Sequence, residues 1–410
     1  MGLSCISMAL SDFYASHGHY KTRLALEIRD SKRDVVGAAA AALDLLQNEE
    51  VQVIIGPATS MQANFVIYLG DKAHVPIISF SATSPSLSSL QSRYFVRATL
   101  NDSAQVPAIR AIVQAFGWRQ VLLIYLDNEY GNGVLPYLTD PLQEIDTRIS
   151  YRSVIHPLAT DDQILEELYK LMTMSTREFS FTLDDSVIDS MQGVLGVKPH
   201  VPRSKELESF KIRWKRKIQQ EYPTNESFEL NIFGLWAYDA ASGLAMAIEK
   251  LGATNFSFQK SNTSRNSTDL DTVGVSQIGP NLLQSLLSTR FKGLSGHFQI
   301  FNRQLRSSAF QVVNVIGKGE RGVGFWTPEN GTVRKLHSTS KANLGTIVWP
   351  GELPSVPKGW VLPTNEKKMR IEVPVTKGSG KFVKVTRDPS TNAMEVTGFS
   401  IAVFENRYDQ

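Results

Sequence analysis

Gly317, Gly319 and Gly322 stand in the spacing G-x-G-x-x-G directly after the β-branched run "VVNVI". In a dinucleotide-binding unit such glycines make a tight turn, let the backbone approach a pyrophosphate and open a helix whose N-terminus holds the charge. Here "VGFWTPENGTV" follows, with aromatic and β-branched residues, a proline and an Asn-Gly turn. That pattern predicts a second strand, so the glycines belong to a hairpin turn around "KGER". No Ser-His-Asp spacing, paired-carboxylate cleft or P-loop stands out, and the chain is not expected to be an enzyme. Cys5 shares an apolar helical stripe with Met1 and Met8 and is expected to be a buried structural thiol. His17 and His19 fall in the loop "ASHGHYK", and no helix carries the i, i+4 histidine pair of a zinc enzyme. Neither metal nor cofactor is expected.

A different chemistry is written at two strand ends. The apolar run "VQVIIG" is followed by "PATS", and "VPIISF" by "SATSPS". Both place hydroxyls where a helix begins, and free N–H groups at a helix N-terminus attract a carboxylate or phosphate. Ser60, Ser81 and Thr83 are therefore candidate ligand-binding residues, with N-cap and turn roles as the alternative for each of them.

The elements that would position them alternate. "RDVVGAAAAALDLLQNEE", "MQANFVIYLGDKAH" and "DSAQVPAIRAIVQAFG" have helical periods, and between and after them come the short apolar runs "VQVIIG", "VPIISF" and "QVLLIY". Repeated βα units with uninterrupted apolar strands imply parallel sheets covered on both faces. A second series follows, with helix "GVLPYLTDPLQEI", strand "RISYRSVI" and helix "TDDQILEELYKLM", for which Thr160 is the expected N-cap. After "TMSTR" a strand is due, but "EFSFTLDDSVIDSMQGVLG" offers no convincing strand and helix. The helices "ELESFKIRWKRKIQQEY" and "IFGLWAYDAASGLAMAIEKLG" come next, then strands from Phe291 onward.

Composition narrows the class. At 410 residues, with 42% hydrophobic and 20% charged, the chain can form two or three domains. Lys and Arg total 43 against 40 acidic residues, a net charge of +3, and the basic residues are dispersed, so no nucleic-acid partner is expected. N-x-S/T tripeptides begin at Asn101, Asn225, Asn255, Asn262, Asn266 and Asn330. Their cluster in "NFSFQKSNTSRNSTD" suits a loop facing a secretory lumen. Met1 enters an amphipathic helix without a basic and apolar leader, and the most apolar stretch, from Phe233, carries Asp239, so neither a signal peptide nor a membrane span is read in these residues.

The stretches "IIGPATSMQANFV", "VPIISFSATSPSLSS", "YFVRATLNDSAQ", "FGWRQVLLIYLDNEYGNG" and "FKGLSGHFQIFN" together resemble the receptor ligand-binding domain of the type I periplasmic-binding-protein class, in the variant found at the amino terminus of plant glutamate-receptor-like channels. "TIVWPGELPSVPKGWVLP" is similar to those channels' connector, and "KKMRIEVPVTKGSGKFVKVTRDPSTNAMEVTGFSIAVFE" to the opening of their agonist domain. The resemblance implies an α/β, bilobed clamshell with parallel sheets and a short incomplete C-terminal segment. Residues 1–345 would form the receptor domain, with a first lobe of about 1–115 and 229–292 and a second of about 116–228 and 293–345. Residues 346–366 would be the connector and 367–410 the start of a second ligand-binding domain.

By the same resemblance, Ser60, Ser81 and Thr83 receive the carboxylate and part of the ammonium of a small amino-acid ligand. Asp102 pairs with the ammonium, with an N-cap as its other possible role, and Tyr130 closes from the second lobe. The implied function is the extracellular ligand-sensing region of a ligand-gated cation channel, on the outer side of the plasma membrane or another secretory-pathway membrane, with other receptor subunits as partners. The alternatives are a soluble amino-acid-binding protein or a non-functional fragment of a channel gene. Measured against the family, a first strand before Met1 and a strand and helix near Arg177 are expected to be missing, and the sequence stops in "FENRYDQ" before any pore helix.

Overall fold

A computed structural model describes residues 1–90, 92–173, 192–223, 229–252, 256–260, 272–306, 309–317, 319–336, 344–349, 356, 384–387 and 394–397. In chain order its first elements are α1 (Gly2–Ser16), α2 (Val35–Gln47), β1 (Ile54–Ile55), α3 (Ser60–Ala73), β2 (Ile77–Ser79), β3 (Phe95–Arg97) and α4 (Val106–Phe116). Then come β4 (Gln120–Leu126), α5 (Glu129–Gln143), β5 (Arg148–Ile155), α6 (Asp161–Thr173), β6 (Leu195–Pro199), α7 (Lys205–Glu221) and α8 (Ile232–Leu251). After β7 (Phe258–Gln259), β8 (Val275–Ser276) and α9 (Gly279–Ser288), the chain forms β9 (Arg290–Lys292), β10 (His297–Phe301), β11 (Gln304–Leu305), β12 (Phe310–Ile316), β13 (Gly319–Thr327) and β14 (Gly331–Val333).

The first sheet runs β1-β2-β3-β11-β10-β9. Its first four strands are parallel, Ile54 facing Ile77 and Ile78 facing Val96. Period-two alternation sends successive side chains to opposite faces. Ile77 and Phe95 thus pack with α2 and α3, while Ile78 and Val96 pack with Leu244 of α8 and Leu282 of α9. Apolar residues on both faces are what a covered parallel sheet demands.

Two segments differ from the expected lobe division. Strands β10 and β11 pair into the first sheet, although residues from 293 onward were expected in the second lobe. Helix α7, expected in the second lobe as well, buries Leu207, Phe210, Trp214 and Ile218 with Cys5 and Phe13 of α1 and with Leu235 of α8. The stripe at i, i+3, i+7 and i+11 needs an apolar partner, and the α1–α8 pair supplies one. Cys5 is fully buried there, and burial pushes its thiol up to about 11.

In the second lobe β4 and β5 form a parallel pair, while β14-β13-β12-β6 form an antiparallel sheet. Among the described residues no ladder joins the two pieces. Helix α4 touches both, through Ile112 against Val312 and Val323 and through Val113 against Val121 and Leu142. The missing unit expected near Arg177 lies outside the described residues. Thr160 caps α6 as expected: its hydroxyl accepts from the Gln163 amide at 3.4 Å, and the Gln163 side chain accepts from the Thr160 amide at 3.0 Å. Gly317 joins β12 to β13 with φ +61°, the left-handed region glycine adopts freely, so the glycine spacing is a hairpin, with β13 running on through Thr327.

Asp239 on α8 is 1% exposed, on a helix whose neighbours Ala237, Ala240 and Ala241 are also buried. One carboxylate oxygen accepts from the Leu294 amide at 2.8 Å. The other accepts from the Ser295 amide at 2.8 Å and the Ser295 hydroxyl at 2.5 Å, so the ion holds the β9–β10 turn.

The chain divides into two compact units between Trp360 and Val361, inside the stretch expected to be a connector. The second unit contains the antiparallel pair β15 (Lys384–Arg387) and β16 (Met394–Thr397).

Candidate functional site

The two strand-end loops of the first lobe are tied to each other before any ligand is considered. Thr59 caps α3, its hydroxyl accepting from the Gln62 amide at 3.3 Å. That leaves Ser60 for another role: its hydroxyl, in a buried residue, accepts from the Ser84 amide at 3.1 Å. Ser79 donates to the Pro57 carbonyl at 2.9 Å, and the half-buried Ser81 donates to the Ala58 carbonyl at 2.7 Å. Ser81 therefore fastens the β2 loop to the β1 loop, which is the turn-forming role weighed for it.

Thr83 and Asp102 come together. The Asp102 amide donates to the Thr83 carbonyl at 3.1 Å, and the Thr83 side chain hydrogen-bonds the Asp102 carboxylate. Asp102 does not cap its helix; Asn101 does, accepting from the Ser103 amide at 3.1 Å. Asn101 also donates weakly to Ser88 and Gln304, so its side chain amide is occupied within the fold. Burial pushes the Asp102 carboxyl up, against the opposing pull of Thr83 and Arg97.

Arg97, which the sequence reading passed over, lies beside this carboxylate at the end of β3 and is 2% exposed. One guanidinium nitrogen donates to the Ser84 carbonyl at 2.9 Å, and burial lowers the group to about 10. The other terminal nitrogen, Nη1, and Oδ2 of Asp102 are buried without a partner among the described residues. The signal in "YFVRATLND" is faint, a cation within an otherwise apolar run.

From the second lobe, α5 approaches the same loop. A Cβ on Gly133 would stand 2.5 Å from Ser84 Oγ, so only glycine allows this helix to lie so close. Tyr130 sits in the first turn of α5, but its side chain lies outside what is described. Of the proposed glycan acceptors, Asn330 is exposed in the β13–β14 turn, and Asn225, Asn255, Asn262 and Asn266 lie outside the described residues.

An unpaired buried carboxylate oxygen, an unpaired guanidinium N–H and two hydroxyls in one place can take a small group bearing both charges. The chain matches the family described as the receptor family ligand binding region over residues 2–179 and again over 178–318. It belongs to that family. As a receptor ligand-binding region it is a binding protein rather than an enzyme, and nearly its whole length is similar to part of plant glutamate receptors. It is 48% identical to glutamate receptor 2.2 of Arabidopsis thaliana over 451 residues, covering 99% of this chain and 48% of that protein. Glutamate receptors 2.1 and 2.3 of the same plant are 48% and 47% identical, covering 99% and 98% of this chain and 49% of each relative. The chain thus spans about half the length of the curated relatives it matches.

A bacterial solute-binding protein of an ABC transporter from R. palustris, solved in complex with benzoate, shares the fold. The TM-score is 0.61 at 13% identity, covering 82% of this chain and 94% of the other. The bilobed type I periplasmic-binding-protein-like architecture follows from that likeness. Among the described residues no helix is long and apolar enough to cross a membrane.

Proposed function

We propose that this receptor region binds a free amino-acid-type ligand between its two lobes and serves as the extracellular sensing part of a ligand-gated cation channel that works with other receptor subunits. The observation that carries the reading is the pair of orphaned buried atoms, Asp102 Oδ2 and Arg97 Nη1, beside the hydroxyls of Ser60 and Thr83. An ammonium meets the carboxylate, and a carboxylate meets the guanidinium and hydroxyls. Tyr130 is assigned the closing ring because its helix reaches the Ser84 loop through Gly133. Ser81 takes a supporting place, holding the two loops in register.

The test is calorimetric titration of the chain with a panel of free amino acids and, as a carboxylate without an amine, benzoate. Asp102→Asn should weaken amino-acid binding by about 10- to 150-fold, the equivalent of about 1.5–3 kcal/mol for a hydrogen bond to a charged group. It should leave any benzoate affinity within about threefold. Unchanged amino-acid affinity in Asp102→Asn would remove the assignment.

A further inference from the structure

Helix α5 meets the first lobe at Gly133, where a Cβ would stand 2.5 Å from Oγ of Ser84 and 3.6 Å from Cδ of Pro85. Residues four apart share one face of a helix, so Tyr137 follows Gly133 toward the same lobe one turn on. Ser84 is also met by Arg97, whose Nη2 donates to the Ser84 carbonyl at 2.9 Å. Gly133 and Arg97 thus share a neighbour, one from each lobe. Tyr137 stands close enough for its phenol to act on the charge of the guanidinium.

Yet the two groups are not bonded to each other. Nη1 of Arg97 is buried without a partner, and the Tyr137 hydroxyl makes no hydrogen bond among the described residues. A guanidinium can only donate, and a phenol proton turns toward whatever acceptor lies within reach. An acceptor placed between them must offset a charge as well, because Arg97 is 2% exposed and its burial already disfavours the charged form. A carboxylate oxygen does both, whereas a neutral carbonyl takes the hydrogen bonds and leaves the charge.

Access adds a second constraint. Nη1 has almost no surface open to solvent, so a carboxylate reaches it while α5 is lifted from the Ser84 loop, and Tyr137 lifts with its helix. Closing then adds a hydrogen bond that the open form lacks, and a ligand able to make it favours the closed form by that difference.

We propose that Tyr137 is a specificity-determining residue of the candidate site, whose hydroxyl donates to the ligand carboxylate held by Arg97 and so couples that carboxylate to closure of the second lobe. The inference rests on the reading that a free amino acid binds between the lobes. It gives Asp102 the ammonium and divides the α-carboxylate between Arg97 of the first lobe and Tyr137 of the second.

The experiment titrates the natural chain, Tyr137→Phe and Asp102→Asn by calorimetry with the twenty common L-amino acids and with the α-carboxamides of those that bind. The natural chain should bind a free amino acid at least tenfold more tightly than its amide. Tyr137→Phe should weaken the acid by about tenfold, as for a lost hydrogen bond to a charged group, and leave the amide within about twofold. Asp102→Asn should weaken acid and amide alike, since both keep the ammonium. A second measurement needs no variant: in the natural chain, saturating acid should slow hydrogen exchange in residues 133–139 more than saturating amide does.

If Tyr137 merely supported the fold, Tyr137→Phe would shift acid and amide together. That result, or an unchanged acid affinity in Tyr137→Phe, overturns the inference while a weakened Asp102→Asn leaves the amino-acid reading standing. Equal protection of 133–139 by acid and amide overturns it as well. Absence of any amino-acid binding, or unchanged affinity in Asp102→Asn, overturns the reading and the inference together.

Discussion

Asp239 carries a test of how a buried ion is tolerated. Burial drives its carboxyl from 3.8 up to about 6, although three donors from Leu294 and Ser295 favour the charged form. A folded pKa above the unfolded one means the protonated form is the better fit inside the protein. The associated stability is fully present below about pH 4 and is lost as the pH rises through 6. A shift of about two units corresponds to about 3 kcal/mol, with no discount for solvent at a residue 1% exposed. Asp239→Asn removes this titration but leaves one buried donor of Ser295 facing an amide, a cost of about 1–3 kcal/mol.

Urea unfolding of both proteins at pH 4, 5, 6 and 7 separates the terms. The advantage of the natural protein over Asp239→Asn should shrink by about 2.5 kcal/mol from pH 4 to pH 7, most of it below pH 6. Curves that stay parallel would show that the three donors offset the desolvation. A gap that widens with pH would show that they exceed it.

The α1–α7–α8 packing predicts that Phe210→Ala, at a fully buried ring, costs about 3–5 kcal/mol in a urea denaturation of the whole chain. A loss under 1 kcal/mol would mean α7 contributes little to the first-lobe core. The aligned span of 451 residues exceeds this chain's 410, so the relative carries residues that this chain lacks. Inserting a strand and helix after Arg177, where the sequence rhythm breaks, should raise the melting temperature by several degrees and slow hydrogen exchange in β4–β5, since a two-stranded sheet is marginal alone. Unchanged exchange in Gln120–Ile155 would show that the pair needs no further strand.

Much of this was legible because it is local. The period of "VVGAAAAALDLLQ" makes a helix wherever it lies, and glycines followed by β-branched residues make a hairpin. The nearness of Thr83 and Asp102 was also readable, because both stand just beyond the ends of strands β2 and β3, which pair side by side. What escaped depends on partners remote in sequence. "VQVIIG" reads as a six-residue strand, yet only Ile54–Ile55 forms a ladder, since backbone becomes a strand only against a second edge. Strand β11 joins β3 through a pairing no local pattern announces. Arg97 was overlooked because a cation in an apolar run looks like an exposed edge residue until burial is known.

The pairing of Gln304 with Arg97 also sets a schedule. The first sheet cannot be completed until the ribosome has made roughly two hundred residues beyond β3, which at about 5–20 residues per second takes on the order of 10–40 s. Until then the β3 edge beside the candidate site stays unpaired, and for the first part of that interval α8 and α9 are not yet available to cover Ile78 and Val96. The nascent lobe thus exposes a short apolar strand edge for as long as residues 98–304 are being translated.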